Sequence, residues 1–468
     1  MENMGTILRR QYWSVVLVAT LLLITAVMAM PGNSMAVVAK PTTLPGGQSA
    51  AFRLQRQLQS AMTKAGCWQG IVRPPHGLLH HEYLVPGGGY HGLFDWDSYF
   101  TAVAMSYQNR GKALAGSVKD FLHFTDNPYG NYRGYTPRQI QWNHVSVLPE
   151  MCKPFLAQMA LRASLTLHSA TWVKPYYQRL ADTLWYWRYA RRSRDGLFTW
   201  FDGWESGVDD SPAVITVPAG GAGNSRVAER RISRPPNRTE GVDLACYIYR
   251  EYRAMADLAA MLNEPAYVRR YEQRAANLKH LMQTRLWDAH AGIFYNRNSR
   301  TGAFIRVPEW TDLTPLWAHM ATVRQAHILI TRYVLNSHEF WTHYGIRSLA
   351  ASSPDYHPVH GYLRGPIWVV TDYMVMHGLM NYGYVCQARL LARNVSATLL
   401  RDIKKTGGMH ENYNPNTGDG QYAGNFKDWD LLGAYMIQEA YTGQDAAGIP
   451  TLGQLKALPW IKQASENK

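Results

Sequence analysis

Residues 242–286 read VDLACYIYREYRAMADLAAMLNEPAYVRRYEQRAANLKHLMQTRL, and this stretch decides the fold. Apolar residues recur every three to four positions from Val242 to Leu262 and again from Pro265 to Leu286, the spacing of a helix face. The break between them is a single short polar step at Asn263-Glu264, so the pair reads as a helical hairpin. Upstream, the same spacing predicts helices over Ala51–Lys64, Ser98–Gln108, Lys112–Phe124, Pro154–Leu167 and Val173–Arg191. Downstream it predicts Thr314–Met320, Val323–Leu335, Pro366–Met380, Val385–Leu400 and Trp429–Tyr441. About twelve helices with few strand signals give an all-α class. Arranged as six hairpins they close into an (α/α)6 toroid whose loops meet over a central cleft; the count alone also fits a helical array or an irregular bundle.

Composition agrees with a folded, cleft-bearing protein. Of 468 residues, 46% are hydrophobic, 12% aromatic and only 18% charged, which excludes a disordered chain. The 16 Trp and 29 Tyr exceed what a core needs and suggest a lined cleft. Forty-eight Lys and Arg against 34 Asp and Glu give a net charge of +14. No run of five or six basic residues occurs, so no nucleic-acid partner is expected. The charge suits solubility or a mild peripheral attraction to an anionic envelope surface.

Arg9 and Arg10 precede an uncharged stretch from Gln11 to Met30. That layout predicts a signal peptide over residues 1–36, or an uncleaved membrane anchor, and so an exported protein with one catalytic domain over 37–468. Cys67, Cys152, Cys246 and Cys386 lack the paired spacing of a zinc site. Neither a metal nor another cofactor is expected, and Cys246 and Cys386, in apolar helical runs, read as buried free thiols.

Three connections stand out. Gly87–Ser98 reads GGGYHGLFDWDS, Thr199–Glu240 contains WFDGWESGVDDSP, and Gly407–Asp428 reads GGMHENYNPNTGDGQYAGNFKD. The second is too long for a passive connector and predicts a lid over about residues 203–239. Glycosidic hydrolysis needs one protonated carboxyl group and one carboxylate. Glu205, Asp209 and Asp210 lie within six residues, where mutual repulsion raises a proton affinity; Asp209 or Asp210 could equally cap a turn before Ser211-Pro212. Glu411 stands among Gly, Asn and Pro residues, where a Glu has no turn-forming advantage.

In order, WDSYF, ESGVDDSP, VDLACYIYRE, GYLRGPIWVVTDYMV and ENYNPNTG resemble the six-hairpin α-glycosidases of glycoside hydrolase family 63 and its relatives, from about Gly92 to Tyr441. The resemblance implies an inverting, exo-acting glycosidase on the (α/α)6 toroid, with Asp209 as general acid and Glu411 as general base. It also implies that Trp96, Asp97, Arg364, Gly365 and Trp368 line the subsite of the non-reducing sugar. Trp142, Trp204, Glu205 and Tyr413 complete the residues expected to contact the carbohydrate. Inversion requires carboxyl groups about 6.5–9.5 Å apart, leaving room for water. The chain departs from the family at Met151-Cys152-Lys153-Pro154, where a cation replaces an amide. Lys153 or a lid arginine (Arg226, Arg230, Arg231, Arg234, Arg238) is expected to read an anionic aglycone. Those arginines also suit a polysaccharide lyase, and the aromatic cleft suits a non-catalytic glycan-binding protein.

Overall fold

The computed structural model describes residues 47–126, 133–146, 150–214 and 238–461. The expected signal or anchor at 1–36 and the 215–237 part of the expected lid, with Arg226, Arg230, Arg231 and Arg234, lie outside the described residues. Among the described residues no helix is long and apolar enough to cross a membrane.

Among the described residues twelve helical segments build the ring. They are α1 (Gly47–Lys64), α2 (Asp95–Ser106), α3 (Gly111–His123), α4 (Leu156–Leu167), α5 (Tyr177–Ala190) and α6 (Val242–Met261). Then follow α7 (Pro265–Arg285), α8 (Thr314–Trp317), α9 (Val323–Leu329), α10 (Val369–Asn381), α11 (Val385–Thr406) and α12 (Met436–Thr442). Tight 3-10 turns at Trp310–Leu313 and Asp428–Ala434 lead into α8 and α12, and α9 runs on as a π-helical turn, Ile330–Val334.

Burial separates two layers. In α6, 17 of 20 residues are buried, and in α10, 11 of 13, so these helices are enclosed on all sides. By contrast, α7 buries only Tyr271, Ala275, Leu278 and Met282, and α1 only Ala51, Gln55, Leu58 and Met62. That spacing of four, three and four is one stripe of an amphipathic helix facing inward. The even-numbered helices pack in succession, α2 on α4, α4 on α6, α6 on α8, α8 on α10, and α10 on the Asp428–Ala434 turn, which returns to α2. Outside them α1 lies beside α11 and closes the outer layer. The result is the (α/α)6 toroid that the periodicity suggested. Close approach helps to hold the ring: a Cβ on Gly378 of α10 would stand 2.7 Å from the Leu316 Cβ of α8. A side chain there would push the two helices apart.

Several expectations change. Trp96 and Asp97, read as loop residues, lie in the first turn of α2. Asp95 accepts the Trp96 N–H at 2.8 Å, and acids favour a helix N-terminus. The segment 407–428, read as a loop, contains an antiparallel hairpin of Met409–Tyr413 and Gly420–Phe426. Its many glycines hide the alternation on which a strand reading depends. The helix expected from Pro366 starts at Val369, because Ile367 is extended and pairs with Tyr413 in both directions, at 2.8 and 2.9 Å. Cys246 is a buried free thiol, but Cys386 is exposed. It sits at the start of an outer helix, which buries one stripe only.

Candidate active site

The loop after α5 carries several acids, and the structure gives each a different fate. Asp202 caps the short helix Gly203–Ser206 by accepting the Glu205 N–H at 2.8 Å, the usual service of an Asp at that position. Gly207 ends that helix at φ +77, and a Cβ there would stand 2.9 Å from Lys153 Cε and 3.0 Å from Trp96 Cζ2. The turn can therefore lie directly on the floor of the ring only without a side chain.

Glu205 is fully buried, ion-paired to Arg191 at 2.5 Å, and accepts the N–H groups of Met151 at 3.2 Å and Phe201 at 2.6 Å. This corrects its expected contact with substrate: its lone pairs are committed to the scaffold. Asp210 accepts the Leu363 N–H and the Arg364 Nε, both at 3.0 Å, and Ser211 donates its hydroxyl to Glu309. Between these tethers Asp209 accepts no hydrogen bond from any described residue and is half-buried. Burial pushes its pKa above the ordinary carboxylate range; Lys153 and Arg138 oppose this, and Asp210 and Glu150 add to it.

Glu411 stands in the middle of the Met409–Tyr413 strand. Register shifts on both sides of His410 bulge the hairpin: His410 opposes Gly424 and Asn412 opposes Gln421, which leaves Glu411 between them without a partner in the ladder. The buried Glu411 side chain accepts the Tyr362 hydroxyl at 2.8 Å. Burial raises its pKa; the bonds from Tyr362 and the Ala423 N–H favour the ionised form, while the charges of Asp97 and Asp209 disfavour it. Tyr90 in turn feels Glu411, Asp97, Asp428 and Asp209, and burial with these charges pushes its pKa to about 12. The charges of Asp97 and Asp209 thus reach Glu411, and no hydrogen bond links Asp209 to Glu411 among the described residues. Burial pushes the pKa values of Asp97 and Asp428 up, and the charge of Asp97 adds to the rise at Asp428.

Aromatic rings form the floor. Trp96 lies 6.1 Å from Trp310 and 5.5 Å from Trp429, and Trp429 lies 5.8 Å from Trp368. Trp368 donates its indole N–H to the Tyr362 carbonyl at 3.0 Å. Tyr362 has φ +51, a left-handed conformation that a bulky residue adopts only when its surroundings impose it. The Trp429 and Trp310 indole N–H groups are buried with no partner among the described residues.

The other expected contacts are not all placed alike. Tyr413 is 1% exposed and donates to Asp430 at 3.0 Å, so it braces the hairpin and does not face a ligand. Trp142 is exposed and stacks on His76 at 5.2 Å, without a ring contact to the carboxylate-bearing loops. Trp204 is exposed on the short helix beside Asp209, and Gly365 is held by Ser348 at 2.9 Å behind Arg364. Lys153, expected to read an anionic aglycone, is buried and paired to Asp95 at 3.2 Å. Arg238 is likewise buried. Sequence reasoning misses Tyr90, Tyr362, Trp310 and Trp429. Tyr90 and Tyr362 lie inside the quoted segments GGGYHGLFDWDS and GYLRGPIW, so proximity to a motif is their only signal. Among the described residues no three His, Cys, Asp or Glu side chains are grouped to hold a metal ion.

The family model for the mannosylglycerate hydrolase MGH1-like glycoside hydrolase domain matches residues 90–428. A mannosylglycerate hydrolase of Rubrobacter radiotolerans is 30% identical over 175 residues, which cover 36% of this chain and 37% of that protein. The match thus spans little more than a third of the curated relative. The solved glycoside hydrolase family 63 mannosylglycerate hydrolase of Thermus thermophilus, in complex with glucose, superposes with a TM-score of 0.63 at 21% identity, over 80% of this chain and 99% of that one. The neutral trehalase of Saccharomyces cerevisiae superposes with a TM-score of 0.55 at 17% identity, over 81% of this chain and 79% of that one. These neighbours are (α/α)6 toroids.

Proposed function

Because this chain belongs to the mannosylglycerate hydrolase MGH1-like glycoside hydrolase family, we propose that it hydrolyses α-glucosidic or α-mannosidic bonds of small glycosides, exo-acting and with inversion. Asp209 is the general acid and Glu411 the general base. One observation carries the assignment: of the three acids on the Glu205–Asp210 loop, two are committed to structural partners and only Asp209 is free to give a proton. Burial favours its protonated form, as a proton donor at neutral pH requires.

Glu411 is suited to the other half of the chemistry. The Tyr362 hydroxyl and a backbone N–H stabilise its carboxylate while leaving lone pairs for a water proton. Water attacks the anomeric carbon as Glu411 takes its proton, and Asp209 protonates the departing oxygen; both carboxyl groups exchange protons with solvent afterwards. Trp96 offers an indole face to the pyranose, and Asp97 and Arg364 offer hydrogen bonds to its hydroxyls. The unpartnered Trp429 N–H offers one more. The names of the relatives place glycosyl glycerates among the substrates to try first. The basic and apolar N-terminal stretch supports export, which fractionation of the native protein would test.

The deciding experiment is sugar release over a panel of α-linked disaccharides and glycosyl glycerates, with proton NMR of the earliest product. Release of the β-anomer first is expected. An initial α-anomer would remove Glu411 as base, and an unsaturated product would replace hydrolysis by lyase chemistry.

A further inference from the structure

On the outer wall of the ring, α5 and α7 enclose a cavity of about 230 Å³ that takes no part in the cleft. Its charge is unbalanced. Arg133 at its rim pairs with Asp182 at 2.9 Å. Arg188, Arg270 and Arg274 line the same cavity and form no ion pair with a carboxylate of any described residue. The Arg274 guanidinium lies instead 5.3 Å from the Tyr271 ring and 6.0 Å from that of Tyr252. Burial, with the charges of Arg188 and Arg270, lowers its pKa. Like charges gathered in one cavity oppose one another, and an anion between them would turn that repulsion into attraction.

One wall is aromatic. Trp185 is 46% exposed and stacks on Tyr189 at 5.2 Å with an interplanar angle of 8°. Tyr189 itself is 64% exposed, so a stacked pair of large rings stands in solvent beside the cluster of guanidiniums. The Arg133 guanidinium stands 5.9 Å from the Trp185 centroid, so the half-exposed indole already lies beside a fixed donor, the combination that holds a sugar ring by its apolar side and its substituent by charge.

We infer that this cavity is a second, non-catalytic binding site for a free phosphorylated monosaccharide, with the phosphate among Arg188, Arg270 and Arg274 and the sugar ring against Trp185. Three unpaired guanidiniums match a dianion better than a monocarboxylate, and their planar forks match phosphate oxygens two at a time. The volume holds one sugar unit, below the roughly 300–1,000 Å³ typical of sites for larger ligands. The inference does not depend on the roles of Asp209 and Glu411.

Titration calorimetry on the full chain at low salt and pH 7.5 tests it, with D-glucose 6-phosphate, inorganic phosphate, D-glucuronate and D-glucose as probes. One glucose 6-phosphate per chain is expected, bound at least tenfold more tightly than phosphate or glucuronate. The affinity should fall several-fold at pH 5, because the phosphate takes up its second proton near pH 6. Arg270→Glu, at an exposed position, should weaken binding tenfold or more without changing glycoside turnover. Trp185→Ala should reduce glucose 6-phosphate to the affinity of phosphate. Binding that survives Arg270→Glu would lie elsewhere, in the cleft for example, and would overturn the site. Equal binding of glucuronate would overturn the phosphate, equal binding of inorganic phosphate would overturn the sugar, and no binding would overturn both.

Discussion

The Asp202–Val214 loop and the Met409–Phe426 hairpin carry one proposed catalytic carboxyl group each, held by opposite means. The loop is irregular and is held by side chains: Glu205 on Arg191, Asp210 on Arg364, Ser211 on Glu309. The hairpin is held by its backbone ladder and by Ile367, and its carboxylate is aimed by one phenol, that of Tyr362. In the loop, acids are abundant and most are structural. In the hairpin Asp419 pairs with Lys405, and Glu411 is supplied with the Tyr362 hydroxyl and the Ala423 N–H. The proposed acid is thus defined by what its neighbours take up, and the proposed base by what its neighbours give.

Predictions follow that contrast in order of size. Glu411→Gln keeps the shape and removes the base, and should lower turnover about a thousandfold or more with sugar binding retained. Near-normal rates would show that the hairpin only shapes the cleft. Asp209→Asn should cost about as much on alkyl glycosides but far less on substrates with an activated leaving group, which need no proton. Equal damage on both would remove Asp209 as the acid and blur the distinction between the two regions.

The loop's structural acids should fail by a different route. Glu205→Gln removes the charge that pairs with buried Arg191 and should destabilise the fold by about 3–5 kcal/mol. Thermal melting reads this directly; an unchanged midpoint would mean that the loop does not depend on that pair. Tyr362→Phe removes the hydroxyl that favours ionised Glu411. The acid limb of the pH–rate profile should then move to higher pH, and turnover at neutral pH should fall about tenfold. An unmoved limb would show that the phenol only packs.

The smallest effect concerns the hairpin's outer pin, His410 Nδ1 on Asp402 at 2.8 Å. Its hydrogen bond to Asp402 raises the His410 pKa above that of the unfolded chain, with burial opposing. The pin therefore contributes fully below about pH 6.5, the unfolded value, and is lost as pH rises through the higher folded value. As a part-exposed pair it should be worth less than about 1 kcal/mol. His410→Gln should flatten the stability–pH curve across that window; a parallel curve would assign the pin no charge.

Periodicity alone placed the twelve helical segments, because an amphipathic stripe is written in consecutive residues and survives any tertiary context. The stripe of α7 at Tyr271, Ala275, Leu278 and Met282 is legible in this way. Asp209 and Glu411 are singled out by motif resemblance. The same local view could not separate Glu205 from Asp209, four residues apart, because the difference lies in Arg191 and in the N–H groups of Met151 and Phe201. Nor could it place Tyr413 behind the hairpin or Lys153 beneath Asp95, since burial is decided by elements far away in the chain. What the sequence determined by itself is the repeating helical architecture and the supply of carboxylates and aromatic rings. Which carboxylate is left free, and which phenol meets it, only the closed ring decided, because hydrogen-bond satisfaction and desolvation depend on neighbours that folding alone brings together.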